Sequence, residues 1–252
     1  MQKIKNNIIW LDEVDSTNSF VLKNIKKLAN KTIIASLNQT AGRGTKKRKF
    51  FSVVNKTLTF SILIKDIKTK ILNELAIFSA VVLIFVLKKY NVKDAKIKWF
   101  NDIFLNEKKL AGILVESITL KNNADAVIGI GININATKQE LCSLNLYEAS
   151  SIFSETKIYI DPKNFLFCYL YYFNYFMKPL LIDDEINDFK KLKKLYNKNC
   201  YTIGKTVKIY NLSNGDIFVA KTIKMLENNN LLVLSNNKLF SINPRFFSIK
   251  HQ

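Results

Sequence analysis

Residues 75–87, LAIFSAVVLIFVL, run thirteen positions without a charge and with one hydroxyl, Ser79. A strand seldom exceeds ten residues, and a membrane-spanning helix needs about 20 apolar ones. What remains is a helix apolar on every side, and such a helix has to be covered all round by other elements.

Strand-like runs surround it and supply that cover. Residues 32–37 (TIIASL), 58–64 (LTFSILI), 95–99, 102–105, 110–118 and 126–134 (AVIGIGINI) are short, apolar and bounded by polar turns. Asn106-Glu107-Lys108-Lys109 reads as a hairpin connection, and the glycines of 126–134 mark a backbone that something approaches closely. Asp15-Ser16-Thr17-Asn18 offers capping side chains to a helix with Phe20, Val21, Ile25 and Leu28 at helical spacing. The long buried helix extends over 72–90. Asp161-Pro162 opens another, to about 178, whose seven aromatics between 165 and 175 read as a thickly buried helix. An amphipathic helix covers 183–198, with KKLKK as a solvated face. Beyond it only short strands remain, 206–210, 217–223, 231–234 and 239–242, separated by Asn-rich turns. The expectation is an α+β protein: a mixed sheet flanked by helices over residues 1–198, and a small β-barrel over 199–252.

The formal charge of +19 would suit a nucleic-acid binder, but 36 of the 39 cations are Lys and only Arg43, Arg48 and Arg245 are Arg. Base and phosphate recognition favours the planar guanidinium fork, so a Lys- and Asn-rich residue usage (29 Asn against 7 Gly) explains the charge better than a DNA-reading surface. The single histidine, His251, is next to last, which excludes Ser-His-Asp and Cys-His catalysis and a histidine metal site. Cys142, Cys168 and Cys200 show neither zinc spacing nor a disulfide framework and read as buried thiols in a reducing compartment. The N-terminal residues carry no signal-peptide core. A cytoplasmic protein with no membrane segment is expected.

Catalysis without histidine must rest on charge, backbone dipoles and positioning. Polar residues gather in four places: Asp15–Asn18; residues 39–49, QTAGRGTKKRK, with five cations and two glycines; Lys98–Asp102 followed by residues 109–112, KLAG; and residues 129–133, GIGIN. The second lacks P-loop spacing and reads either as an anion-binding loop or as a solvated basic one.

Together the four resemble one family, the biotin protein ligases. DSTN at 15–18, QTAGRG at 39–44, KWxNDI at 98–103, KLAGILVE at 109–116 and GIGIN at 129–133 occur in the family's order, and the strands from GKTVKIY at 204–210 resemble its small SH3-like barrel. The resemblance implies the class II synthetase-like catalytic fold shared by biotin and lipoate ligases. It implies a two-step reaction with Mg-ATP: the biotin carboxylate attacks the α-phosphate to give biotinyl-5′-AMP, and a carrier lysine then takes the biotinyl group. The implied partner is the biotin carboxyl carrier protein of a biotin-dependent carboxylase such as acetyl-CoA carboxylase, and a homodimer is compatible with it. By motif, Ser16, Thr17, Asn18, Gln39, Gly42, Gly44, Thr45, Gly112 and Gly131 would hold biotin. Arg43 would grip a carboxylate or phosphate, and Lys109 would be the catalytic cation between carboxylate and α-phosphate. Arg48, Phe50, Lys98, Asn101, Asp102 and Asn133 would serve ATP and the adenylate, with Asp102 as a Mg²⁺ ligand, direct or through water. Blander roles stay open: Asp102 as a turn cap, Asn133 as a backbone partner, Lys98 as a surface charge.

Three positions depart from the family pattern: Phe100 replaces a proline, Phe50 a tryptophan and Thr45 a second arginine. No helix-turn-helix precedes the motifs, so a DNA-binding repressor role is not expected. The alternatives are a lipoate or octanoate ligase or transferase of the same superfamily, for which a glycine-rich loop followed by histidine is missing, and a basic nucleic-acid-binding module.

Overall fold

The structure, a computed structural model, describes residues 7–45, 48–182 and 186–251. Seven strands form the larger sheet: β1 (Asn7–Leu11), β2 (Thr32–Ser36), β3 (Thr57–Lys68), β4 (Lys96–Lys98), β5 (Asp102–Leu105), β6 (Lys108–Leu120) and β7 (Asn123–Asn133). Their spatial order is β1-β2-β3-β7-β6-β5-β4. Only β1 and β2 run parallel, so the sheet is mixed, as expected.

The strand period of two sorts side chains to the two faces. Leu58, Phe60, Ile62 and Ile64 of β3 and Ala126, Ile128, Ile130 and Ile132 of β7 turn to the main core. There they meet α2 (Thr69–Lys89), whose residues 75–87 are almost wholly buried, together with α5 (Pro162–Ile182) and α6 (Ile186–Asn199). The opposite face has a small apolar patch, Ile34, Leu63 and Val127, covered by Val21 and Ile25 of the α1 region (α1 is Thr17–Asn24). One eight-residue helix cannot cover seven strands, and the part of that face left open is mostly polar and glycine residues, with Leu114 among them.

Short helices α3 (Lys138–Ser143) and α4 (Ile152–Thr156) lie between β7 and α5. Both start at capping boxes, from Thr137 and Ser151, a local signal that the sequence reading passed over. Asn106 and Glu107, with φ of 49° and 62°, make a two-residue turn between β5 and β6. Lys108 and Lys109 therefore belong to a strand rather than to a loop. The aromatic helix α5 is buried on one side only: Phe165, Tyr169 and Phe173 are in the core, while Phe167, Tyr171 and Tyr175 are exposed. Among the cysteines only Cys200 is buried, and all three are free thiols.

The second sheet is antiparallel, in the order β11-β10-β9-β8-β12. Its strands are β8 (Thr206–Asn211), β9 (Ile217–Met225), β10 (Leu231–Ser235), β11 (Lys238–Ile242) and β12 (Phe247–His251). The last was not expected, and it pairs His251 with Val207 instead of leaving it on a frayed end. Residues joining the two sheets are bonded to β4 and the residue after it: Tyr201 N–H donates to the Ile97 carbonyl at 2.8 Å, and Trp99 N–H to Thr202 Oγ1 at 3.0 Å. Lys193 of the KKLKK run is not a solvated charge. Its ammonium lies 3.1 Å from Glu74 Oε1, both side chains largely sheltered, and it also donates to the Glu227 carbonyl in the β9–β10 turn.

Lys193→Met should lower unfolding stability by about 2 kcal/mol, because the Glu74 carboxylate loses its cation in a sheltered place. Denaturant titration would measure this, and the loss should shrink in a chain that also carries Glu74→Gln.

Candidate active site

The register of the larger sheet brings Thr59 of β3, Gly131 of β7, Gly112 of β6 and Asp102 of β5 into one row across four strands. The adjacent row is Ser61, Gly129 and Leu114. Both rows lie on the face that α1 leaves partly open. Glycine in successive strands removes the side-chain layer there, and each gap is used. A Cβ on Gly129 would sit 2.2 Å from Asn18 Oδ1, one on Gly131 2.4 Å from the Phe50 ring, and one on Gly112 3.3 Å from Lys109 Nζ. The close neighbours of the two β7 glycines are thus the protein's own Asn18 and Phe50.

At the closed end, Ser16 caps α1. The Gln39 side-chain carbonyl accepts from Thr17 N–H at 3.0 Å, and Ser61 Oγ contacts both Thr17 Oγ1 (2.8 Å) and Asn18 Oδ1 (2.6 Å). The loop after β2 is zipped to this end, since Thr40 and Ala41 N–H donate to the carbonyls of Val14 and Asp15. It then folds into a small hairpin: Phe50 N–H bonds to the Gly42 carbonyl at 2.9 Å and Gly44 N–H to the Arg48 carbonyl at 2.7 Å. Lys46 and Lys47, two of the five loop cations, lie outside the described residues.

At the open end, Lys109 Nζ is 2.7 Å from Asp102 Oδ1. The Lys109 backbone is held on both sides, its N–H donating to the Glu148 carbonyl and its carbonyl accepting from Ser150 N–H, each at 2.8 Å. Asn101 staples the turn before β5, with its amide on the Ile113 carbonyl and its own carbonyl accepting Ile113 N–H.

The cleft between these parts is lined by Ser16, Thr17, Asn18, Gln39, Arg43, Gly44, Thr45, Arg48, Lys49, Phe50, Thr59, Asn101, Asp102, Lys109, Gly112, Gly129 and Gly131, among others. Its volume is about 100 Å³. A wider hollow of about 590 Å³ shares the loop wall and adds Gly42, Phe51 and Glu116. Four cations, Arg43, Arg48, Lys49 and Lys109, thus face the cleft against two carboxylates, Asp102 on Lys109 and Glu116 on Arg43. An excess of positive charge around a cleft favours the binding of anions.

Two expected residues are not in the wall. Asn133 is buried with both ends of its amide engaged, accepting from Thr57 Oγ1 at 2.9 Å and donating to the Ser150 carbonyl at 3.0 Å. Both ends of its amide are thus engaged within the protein, at the end of β7. Lys98 pairs across the ladder with Asp102 but packs its ammonium 4.6 Å from the Phe104 ring centre. Burial lowers its pKa below the ordinary lysine range, partly opposed by Asp102. Conversely, Thr59, Ser61, Gly129, Lys49 and Glu116 were not singled out as site residues. The alternation Thr57-x-Thr59-x-Ser61 inside an apolar strand was the available signal for the polar face of β3.

The molecule is thus a mixed sheet with a cation-walled cleft on its open face, and by its sequence matches the chain belongs to the biotin/lipoate A/B protein ligase family. The family's profile, "Biotin/lipoate A/B protein ligase family", matches residues 10–133. The biotin–[acetyl-CoA-carboxylase] ligase of Paracoccus denitrificans is 30% identical over 160 residues, covering 62% of this chain and 67% of that protein. The bifunctional ligase/repressor BirA of Escherichia coli K12 is 35% identical over 142 residues, 55% of this chain and 44% of BirA. The chain therefore spans less than half the length of BirA. The biotin protein ligase from Aquifex aeolicus, solved in complex with biotin and ATP, shares the fold over 98% of this chain and 99% of its own, with a TM-score of 0.79 and 24% identity.

Gly129→Ala should cost about 1–3 kcal/mol of stability, because the new methyl displaces the packed Asn18 amide. Thermal unfolding of Gly129→Ala against Asn18→Ala/Gly129→Ala checks the cause: removing the Asn18 amide should recover part of the loss.

Proposed function

We propose that this chain ligates biotin to a lysine of a biotin carboxyl carrier protein in two steps through biotinyl-5′-AMP. The observation that carries the reading is the Lys109–Asp102 pair at the end of the glycine row, faced by Arg43, Arg48 and Lys49 of the loop.

In the first step an oxygen of the biotin carboxylate attacks the α-phosphorus of ATP, and the bond to the bridging oxygen breaks, releasing pyrophosphate. Two anions meet and further charge builds on the α-phosphate, so fixed cations lower the barrier. Lys109, anchored through its backbone and its pair with Asp102, is the cation for this point, while Arg43 grips carboxylate or phosphate oxygens from the loop. Thr17, Asn18 and Gln39 close the end that would receive the ring system. Phe50 forms an apolar wall between the two parts of the cleft. In the second step a carrier lysine amine attacks the anhydride carbonyl. The C–O bond breaks, AMP leaves, and the amine loses its proton as the amide forms. No side-chain nucleophile is needed, in keeping with a chain whose one histidine lies in β12.

Among the described residues no group of three His, Cys, Asp or Glu side chains converges on a metal site. Asp102, one carboxylate at the cleft, fits an ion held mainly by phosphate oxygens, as Mg²⁺ is in nucleotide sites; there it would neutralise phosphate charge. We also read the chain as two units, 1–198 and 199–252, and place its work in the cytoplasm. No helix among the described residues is long and apolar enough to cross a membrane.

Incubation with biotin, ATP and Mg²⁺ should release pyrophosphate, with lipoate and octanoate as control acids. Lys109→Gln should cut that release by about 100-fold or more, the loss of on the order of 3 kcal/mol of transition-state stabilisation. The fold should survive, because the Lys109 side chain is 39% exposed. Release within a few-fold of wild type would remove Lys109 from the chemistry.

Thr45 lines both parts of the cleft with a neutral hydroxyl. A missing phosphate–arginine contact is worth about 1.5–3 kcal/mol, so the adenylate should be held loosely and should label the protein's own lysines. Thr45→Arg should suppress this self-biotinylation, read by mass spectrometry at matched biotin and ATP. Equal labelling would mean that neighbouring cations already fill the role.

A further inference from the structure

Glu116 lies on β6, on the same face as Gly112 and Leu114, and pairs with Val127 of β7. One of its oxygens, Oε2, accepts two hydrogen bonds, from Asn18 Nδ2 at 2.9 Å and from Arg43 Nη2 at 2.7 Å. Three elements distant in sequence, α1, the loop hairpin and β6, therefore meet at one atom. The Asn18 amide is fully oriented by it, since Nδ2 also reaches the Leu114 carbonyl (3.3 Å) and Oδ1 accepts from Ser61. The Arg43 contact engages a single guanidinium nitrogen, and Arg43 lines both parts of the cleft. The rest of the planar fork can therefore meet an anion while Nη2 stays on Glu116.

We propose that Glu116 is a positioning residue for ligand binding: it fixes the Arg43 guanidinium and the Asn18 amide before biotin arrives. An arginine side chain left to itself samples many rotamers, and gripping a ligand ends that freedom; a partner that ends it beforehand makes binding tighter. The Arg43 side chain is 42% exposed and Glu116 25% exposed, so the pair adds little to the stability of the fold. Its consequence falls on the loop. The opposing effect is electrostatic, because a carboxylate close to Arg43 lowers its pull on another anion. The two effects have opposite signs, which makes the proposal decidable.

The proposal rests on the biotin-ligase reading, and titration calorimetry of the full chain with biotin separates the two. Absence of biotin binding by the wild-type chain would overturn the functional reading itself. Given binding, Glu116→Ala should weaken it about five- to ten-fold, the scale of one charge-assisted hydrogen bond in a half-exposed pair. Glu116→Gln should recover to within about two- to three-fold, because its amide oxygen can accept from both donors. In the Arg43→Ala background the further loss on Glu116→Ala should be smaller than in wild type, as coupled residues are non-additive. In steady state the defect should appear in KM for biotin more than in kcat. Equal or tighter binding by Glu116→Ala would mean that the carboxylate competes with the ligand for Arg43 and would overturn the proposal, as would fully additive losses in the double variant.

Discussion

Everything in the cleft depends on the row Thr59, Gly131, Gly112 and Asp102 having little bulk above the sheet. A β-sheet ordinarily carries a full layer of side chains on each face, and a ligand or a second layer of protein can reach the backbone only where that layer is missing. Two glycines on adjacent strands, in register, open the gap. Phe50 fills one end of it, the Lys109–Asp102 pair the other, and Asn18 a third gap over Gly129. The loop that carries Arg43 can then close over the sheet because the sheet presents nothing to hold it off.

The two faces of the sheet divide the labour. One is sealed by α2 with α5 and α6, and its side chains are aliphatic and aromatic. This rigid face lets the other be polar and partly uncovered without loss of the fold. The polar residues of the open face are also not left to chance. Ser61, Thr17, Gln39 and Asn18 satisfy one another, Glu116 joins Asn18 to Arg43, and Asn101 ties the turn before Asp102 to β6. Their cost of burial is offset by these mutual bonds, and the same bonds hold the site's geometry. The connection between the sheets, through Tyr201 on β4, Thr202 on Trp99 and Lys193 on Glu74, places the smaller sheet against the strand that neighbours Asp102.

Much of this was legible beforehand, and the failures have physical causes. The apolar run 75–87 had one plausible conformation, and it is buried as expected. Strand positions other than that of β12 were recoverable from alternation and bounding turns to within a few residues. The short helices α3 and α4 were missed because five or six residues carry no periodicity, although the Thr137-x-x-Glu140 capping box of α3 was visible. The Asn106–Lys109 connection was read two residues too long, which turned the strand residue Lys109 into a loop residue. The burial of α5 was overestimated because aromatic content tells how much can be buried, not which side meets a partner.

For the site, residue types and their order along the chain determined by themselves the kinds of group available: clustered cations, one carboxylate beside the KLAG segment, glycines in two strands, and no usable histidine. Only tertiary structure decided which of them meet. Asn133 looked like a ligand residue and turned inward, because Thr57 and the Ser150 carbonyl, 76 and 17 residues away, satisfy it first. Lys98 lies over the ring of Phe104 and outside the wall. Glu116 became the junction of Asn18 and Arg43, 98 and 73 residues distant. Local sequence sets hydrogen-bonding capacity and charge; strand register and the path of the loop set the partner, and neither is encoded within any short window of the chain.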